Sequence, residues 1–93
     1  MTATSEKEIQ CRIVKYLKKK GWVVTRSAAS NGGAADLCAE KNGITIYIEV
    51  KRPGGTLGFW QARWLSNKRK EGYRAEVVFS VQDFLKKFWD LME

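Results

Sequence analysis

Apolar and polar positions along the chain switch between two periods, and the switches mark the elements. From Ser5 to Lys20 the apolar residues recur at helical spacing. With Ile9 set at zero and about 100° per residue, Ile13 falls near 40°, Tyr16 near 340° and Leu17 near 80°. Ser5 with Glu8 reads as a capping box at the start of this helix, and Gly21 as its stop. A short strand is expected at Trp22–Arg26, then a small-residue loop over Ser27–Ala35 with an Asn-Gly-Gly turn signal. Asp36–Glu40 reads as a second strand, Lys41-Asn42-Gly43 as a tight hairpin turn, and Ile44–Lys51 as the clearest strand, with Ile44, Ile46, Ile48 and Val50 on one parity. A loop follows, then a helix over Phe59–Glu71 closed by Gly72 and a fourth strand over Arg74–Phe79. Ser80 caps a last helix to about Met92, with Asp83 in a box-like position. The order αβββαβα describes one α/β domain over residues 1–93, a mixed four-stranded sheet flanked by helices.

The polar residues that break these patterns carry the chemistry. Glu49 and Lys51 stand on the parity opposite the isoleucines, with Tyr47 and Thr45, just before Pro53-Gly54-Gly55. A same-face salt bridge accounts for the two taken alone. On helix one, Glu8 points to solvent near 260° and has a structural explanation as the capping acid, whereas Glu6 falls near 60°, inside the apolar stripe, and Gln10 near 100°, at its edge (about 100° per residue). Two readings of Glu6 fit: an acid tolerated in the first turn by the positive helix end, or a carboxylate aimed at something that wants negative charge. Asp36 is either an ordinary strand-end aspartate or a neighbour of Glu49, because the hairpin can set the two ends side by side. Two adjacent carboxylates repel unless a divalent cation lies between them. Hard ions such as Mg²⁺ or Mn²⁺ take oxygen ligands and acidify water, and an ammonium such as Lys51 nearby suits phosphodiester hydrolysis.

Composition narrows the field. There is no histidine, which removes Ser-His triads, zinc-histidine hydrolases and histidine nucleases. Cys11 and Cys38 form no metal-binding spacing and read as reduced core thiols of an intracellular protein. No apolar run approaches the roughly 20 residues needed to cross a bilayer, and MTATSEKEIQ is not a signal peptide. Seventeen basic against ten acidic residues give a net charge of +7, which suggests a polyanion as partner; no segment pairs a basic face with an exposed apolar one, so a membrane partner is not expected, nor is a small-molecule cofactor.

Taken together, Asp36 followed by Glu49-Val50-Lys51 resembles the D…(D/E)xK signature of the PD-(D/E)xK nuclease superfamily. The segments SEKEIQ, GGAAD, IYIEVK, PGG, Gln61 and EGY make nearly the whole chain, about Ser5 to Phe84, similar to the VRR-NUC domain. The resemblance implies a restriction-endonuclease-like core. It also implies a metal-dependent DNA endonuclease with Asp36, Glu49 and the Val50 carbonyl on Mg²⁺ or Mn²⁺, Lys51 as the catalytic lysine and Gln61 contacting the site from its helix. Many relatives have a glutamate where Gln10 stands; others carry one a turn earlier, and the wheel favours that pattern, with Glu6 acting and Gln10 beside it. Ala35 replaces a usual proline, with little expected loss. Stand-alone domains of this kind resemble archaeal and phage Holliday-junction resolvases. That implies a homodimer on four-way junctions in the cytoplasm of a bacterial or phage-infected cell. Lys18, Lys19, Lys20, Arg52, Arg63, Lys68 and Arg69 would hold phosphates. Phe59, Trp60, Trp64 and Trp89 are expected in the core or on a dimer face. A DNA-binding module that does not cut, and a nuclease subunit that needs a partner, are the alternatives.

Overall fold

The structure is a computed structural model that describes residues 5–27 and 33–93. Its elements run α1 (Glu6–Lys19), β1 (Val23–Arg26), β2 (Leu37–Lys41), β3 (Ile44–Val50), α2 (Phe59–Lys70), β4 (Arg74–Val78) and α3 (Val81–Lys87), with a 3-10 turn at Trp89–Leu91. The Asn-Gly-Gly turn expected at 31–33 lies, but for Gly33, outside the described residues.

Four strands form one sheet in the order β1-β2-β3-β4. The first three are antiparallel neighbours, and β4 joins β3 in parallel through the α2 crossover. The β2–β3 turn is two residues, Asn42 and Gly43, at φ 50° and 79°. Positive φ at both is the geometry of a type I′ turn, which an Asn-Gly pair adopts readily. That turn pairs Lys41 with Ile44, and the ladder then sets Leu37 opposite Ile48.

The period-2 pattern of β3 sorts the faces. Ile46, Ile48 and Val50 join Leu37 and Ala39 under α1 and α3, where Ile9, Ile13, Leu17, Phe84 and Phe88 complete the main core. Each of these side chains larger than alanine contributes about 1.5–3 kcal/mol on burial. The opposite face carries a smaller cluster, Leu65 of α2 with Ala35 and Ala75, edged by Tyr47, Leu57, Trp64 and Val77. Helices therefore cover both faces, as the αβββαβα reading expects. Ala35, in place of a proline, is buried in that second cluster.

Two expectations need correction. Cys11 and Cys38 are free thiols, but both are only half-buried. Cys38 shares the parity of Tyr47, away from the main core, and Cys11 falls on the outer side of the helical stripe. The last helix stops at Lys87 rather than Met92. Phe88 leaves helical geometry at φ −115° and buries its ring. Arg74 of β4 donates to the Lys87 carbonyl at 2.7 Å and clamps Asp90 with both terminal nitrogens, at 2.7 and 3.1 Å.

Caps start the helices. Ser5 Oγ accepts from the Glu8 amide at 3.1 Å; the reciprocal bond from the Glu8 side chain does not form among the described residues. At α3 Asp83 N donates to Ser80 Oγ, and the Asp83 carboxylate accepts from Phe79 N, one residue ahead of the cap. At α2 the cap residue is Gly58, which has no side chain, so the single arm is its own amide donating to Gln61 Oε1 at 2.9 Å.

Candidate active site

The hairpin ladder continues one step past Leu37–Ile48 and brings Asp36 opposite Glu49. The two latch together through backbone. The Asp36 amide donates to Glu49 Oε1 at 3.2 Å, and the Val50 amide donates to Asp36 Oδ2 at 2.9 Å. Lys51 Nζ lies 3.4 Å from Glu49 Oε2, so the expected same-face salt bridge exists. Gln61 Nε2 donates to that same oxygen at 2.8 Å. The other end of the Gln61 amide accepts from Gly58, which leaves its nitrogen only one way to face. One buried carboxylate thus collects an amide, an ammonium and a side-chain amide from three parts of the chain.

Glu49 is 1% exposed, although its parity suggested a wet face. The start of α2 covers that end of the sheet. Burial pushes the Glu49 carboxyl up to about 7; the Asp36 charge pushes the same way, and Lys51 opposes both. Burial likewise raises Asp36, against the pull of the Val50 amide and Lys51, with Glu6 adding to the rise. Glu6 therefore lies within electrostatic reach of the pair. It is half-buried and lines an open cleft with Lys51, Arg52 and Thr56. Ser5 and Lys7 also line the cleft, and no sequence pattern pointed to Thr56, Ser5 or Lys7.

Gln10 does not join Glu6 there. Its Oε1 accepts from Arg26 of β1 at 3.5 Å, so it faces the first strand. No third carboxylate, thiol or histidine closes on Asp36 and Glu49 among the described residues.

The donor set itself suits a hard divalent cation. Two adjoining carboxylates at the buried end of a strand raise each other's proton affinity, a conflict that an ion between them would relieve, and all the donors are oxygens.

The basic residues divide. Arg52 is exposed at the cleft, Arg63 is exposed on α2, and Lys18, Lys19 and Lys20 are exposed at the far end of α1. That end lies about 20 Å from Glu6, at about 1.5 Å per residue over the helix. Lys68 and Arg69 depart from the expected phosphate role. Lys68 Nζ sits 5.5, 5.3 and 5.6 Å from the rings of Tyr47, Trp64 and Tyr73 and bonds Glu71 at 3.3 Å. Arg69 Nε donates to the Ala75 carbonyl at 2.7 Å. Both are engaged in holding α2 to the sheet. The aromatics also divide: Trp64 packs edge-on to Tyr47, whereas Phe59, Trp60 and Trp89 are 69%, 65% and 61% exposed and are not core.

The profile of the archaeal Holliday junction resolvase family (Hjc) matches residues 3–79. The chain belongs to that family. Family and fold together point to a nuclease. A solved structure described as a VRR_NUC domain is similar at 26% identity and a TM-score of 0.80, covering 96% of this chain and 98% of that one. A VRR_NUC domain protein shares the fold at 18% identity and a TM-score of 0.78, covering 95% and 88%. No curated protein matches. The restriction-endonuclease-like core inferred from Asp36 and Glu49-Val50-Lys51 is therefore the fold of this chain.

Proposed function

We propose that this chain is a divalent-metal-dependent DNA endonuclease that hydrolyses phosphodiester bonds in branched DNA, four-way junctions above all, as a homodimer. The observation that carries the reading is the Asp36–Glu49 pair, two carboxylates latched through backbone amides with Lys51 3.4 Å from one of them. Asp36, Glu49 and the Val50 carbonyl would hold Mg²⁺ or Mn²⁺. A cation held there would lower the pKa of water and offset charge on the phosphate. Lys51 and Arg52 present positive charge along the same cleft and orient the phosphate. Gln61 keeps Glu49 in place. Glu6 tunes the charge of the cleft from helix one. A two-fold dimer would match the two-fold symmetry of a junction, one site on each of two opposed strands.

Two observations favour a second reading, a DNA-binding relative that does not cut: among the described residues no third acid closes on the pair, and Gln10 faces away.

A labelled four-way junction and a linear duplex, each incubated with the purified protein in Mn²⁺, Mg²⁺ and EDTA, decide between them. Paired symmetric cuts in the junction that require metal, and that Glu49→Ala abolishes, support the proposal. Binding without cutting in every metal overturns it in favour of the second reading. Cutting only after another protein is added makes the chain a subunit of a larger nuclease.

A further inference from the structure

We propose that Phe59 and Trp60 form a stacking platform for an unpaired base beside the cleft, so that the site selects DNA whose bases are already unstacked; the inference rests on the nuclease reading and adds the feature of DNA that it recognises. Both residues lie in the first turn of α2 and both are mostly exposed. Among the described residues neither aromatic belongs to a core cluster, so burial does not explain two large adjoining rings in water at the start of a helix. They also stand beside the chemistry. Trp60 directly precedes Gln61, the residue bonded to Glu49, and consecutive Cα atoms are about 3.8 Å apart.

The backbone that carries them is packed in place. The two rings meet edge to face, with centroids 5.0 Å apart and planes at 84°, so one ring keeps both of its faces clear of the other. The Trp60 backbone is packed against Gly33, where a Cβ would lie 2.7 Å from the Trp60 carbonyl oxygen. Gly58, just ahead, is tied to Gln61.

The charge around the pair identifies its occupant. Arg63 follows Trp60 by three residues and Phe59 by four, on the same side of the helix, and is exposed. From Phe59 to Lys70 the helix carries no acid; Arg63 is the cation beside the rings, and Lys68 and Arg69, held against the sheet, take no part. Flat rings with adjacent cations are the means by which proteins take up an unstacked nucleotide, base on ring and phosphate on cation. A second copy of the chain docked through this same helix would instead set basic residues against basic residues. A duplex offers no free base face. A branch point, a flap or a bulge does.

Binding in EDTA tests this apart from cleavage. Three DNAs of one sequence serve as probes: a perfect duplex, the duplex with two unpaired bases, and that same bulged duplex with the two bases removed to leave abasic sites. The wild-type protein is expected to bind the unpaired bases about tenfold more tightly than the abasic sites. In Trp60→Ala that ratio falls toward one. Trp60→Phe keeps most of it, and Trp60→Leu, apolar but not flat, loses it. Equal binding of the two bulged probes by the wild type overturns the proposal, as does an undiminished ratio in both the Ala and Leu variants. A Phe59→Ala/Trp60→Ala protein that turns from dimer to monomer in light scattering while keeping the ratio assigns the patch to a second copy and overturns it too. The two proposals fail separately: base-dependent binding without metal-dependent cutting sinks the nuclease, and cutting without base dependence sinks the platform.

Discussion

Glu49 is where the fold and the chemistry conflict. A carboxyl at 1% exposure next to another carboxyl is a poor place for a charge, and its proton is held up to about 7 against an ordinary 4.5. The folded, metal-free protein therefore holds this proton where the unfolded chain has already released it. Between pH 4.5 and about 7 the folded state binds more protons, so stability falls as pH rises through that window. Asp36 is shifted in the same direction and adds to the fall. Thermal melts of the metal-free protein across that range are expected to show it, and Glu49→Gln is expected to flatten most of it. Gln61 makes a separate prediction. Gln61→Ala removes one bond to the buried Glu49 and one to an exposed amide, a loss of about 1–3 kcal/mol in chemical denaturation. Cleavage is expected to fall about 10- to 100-fold, the usual cost of losing a partner that orients a ligand. The ExK spacing and the hairpin made Asp36, Glu49 and Lys51 legible together. The burial of Glu49 was not legible, because strand parity alone puts it on the wet face and only the return of α2 covers it. Nor was the turn of Gln10 toward Arg26, since a wheel reports direction and not partner.

At the scale of elements, the parts coded within a few residues were readable and those imposed from a distance were not. The Asn42-Gly43 turn, the Ser5 and Ser80 caps and the alternation of β3 are all local. The end of α3 is not. The stop comes from Arg74, a strand residue 13 positions before the carbonyl that it caps, with its guanidinium 5.4 Å from the Phe88 ring. Arg74→Ala is expected to cost about 1–3 kcal/mol in chemical denaturation, the range for bonds involving a charged donor. Arg74→Lys is expected to recover only part of that, because an ammonium cannot reproduce the two-pronged clamp on Asp90. Gly33 is a second long-range dependence. It stands at φ +90°, and its missing side chain admits the backbone of α2. Gly33→Ala is expected to lose at least about 1–2 kcal/mol from backbone strain alone, and to loosen the start of the helix that carries Gln61. Circular dichroism melts of this variant would show the loss; an unchanged melt would mean that the loop and α2 are not held together as described.

At the scale of the whole molecule, the net charge of +7 was the first sign of a polyanionic partner, but it does not say which cations are available. The ion pairs do. Lys51, Lys68, Arg69, Arg74 and Lys87 each have an acid within 4.0 Å among the described residues. Lys18, Lys19 and Lys20 form an exposed cluster at the end of α1, Arg52 is exposed at the cleft and Arg63 is exposed on α2. A backbone passing from the cleft along α1 would span about 20 Å, or roughly six base pairs of duplex at 3.4 Å each, before it met the lysines. Contacts at that range carry no sequence information, and they release counterions. Each phosphate neutralised on B-DNA adds about 0.9 to the slope of log affinity against log salt. Replacing Lys18, Lys19 and Lys20 with alanine is therefore expected to weaken binding to junction and duplex alike and to reduce the slope by up to about 2.7. Arg69→Ala should behave in the opposite way, leaving the slope where it was and lowering the melting temperature, because its guanidinium holds the Ala75 carbonyl rather than DNA. A triple-lysine variant with an unchanged slope would put the DNA path elsewhere, over Arg52 and Arg63 alone, and would confine the footprint to the cleft side of the molecule.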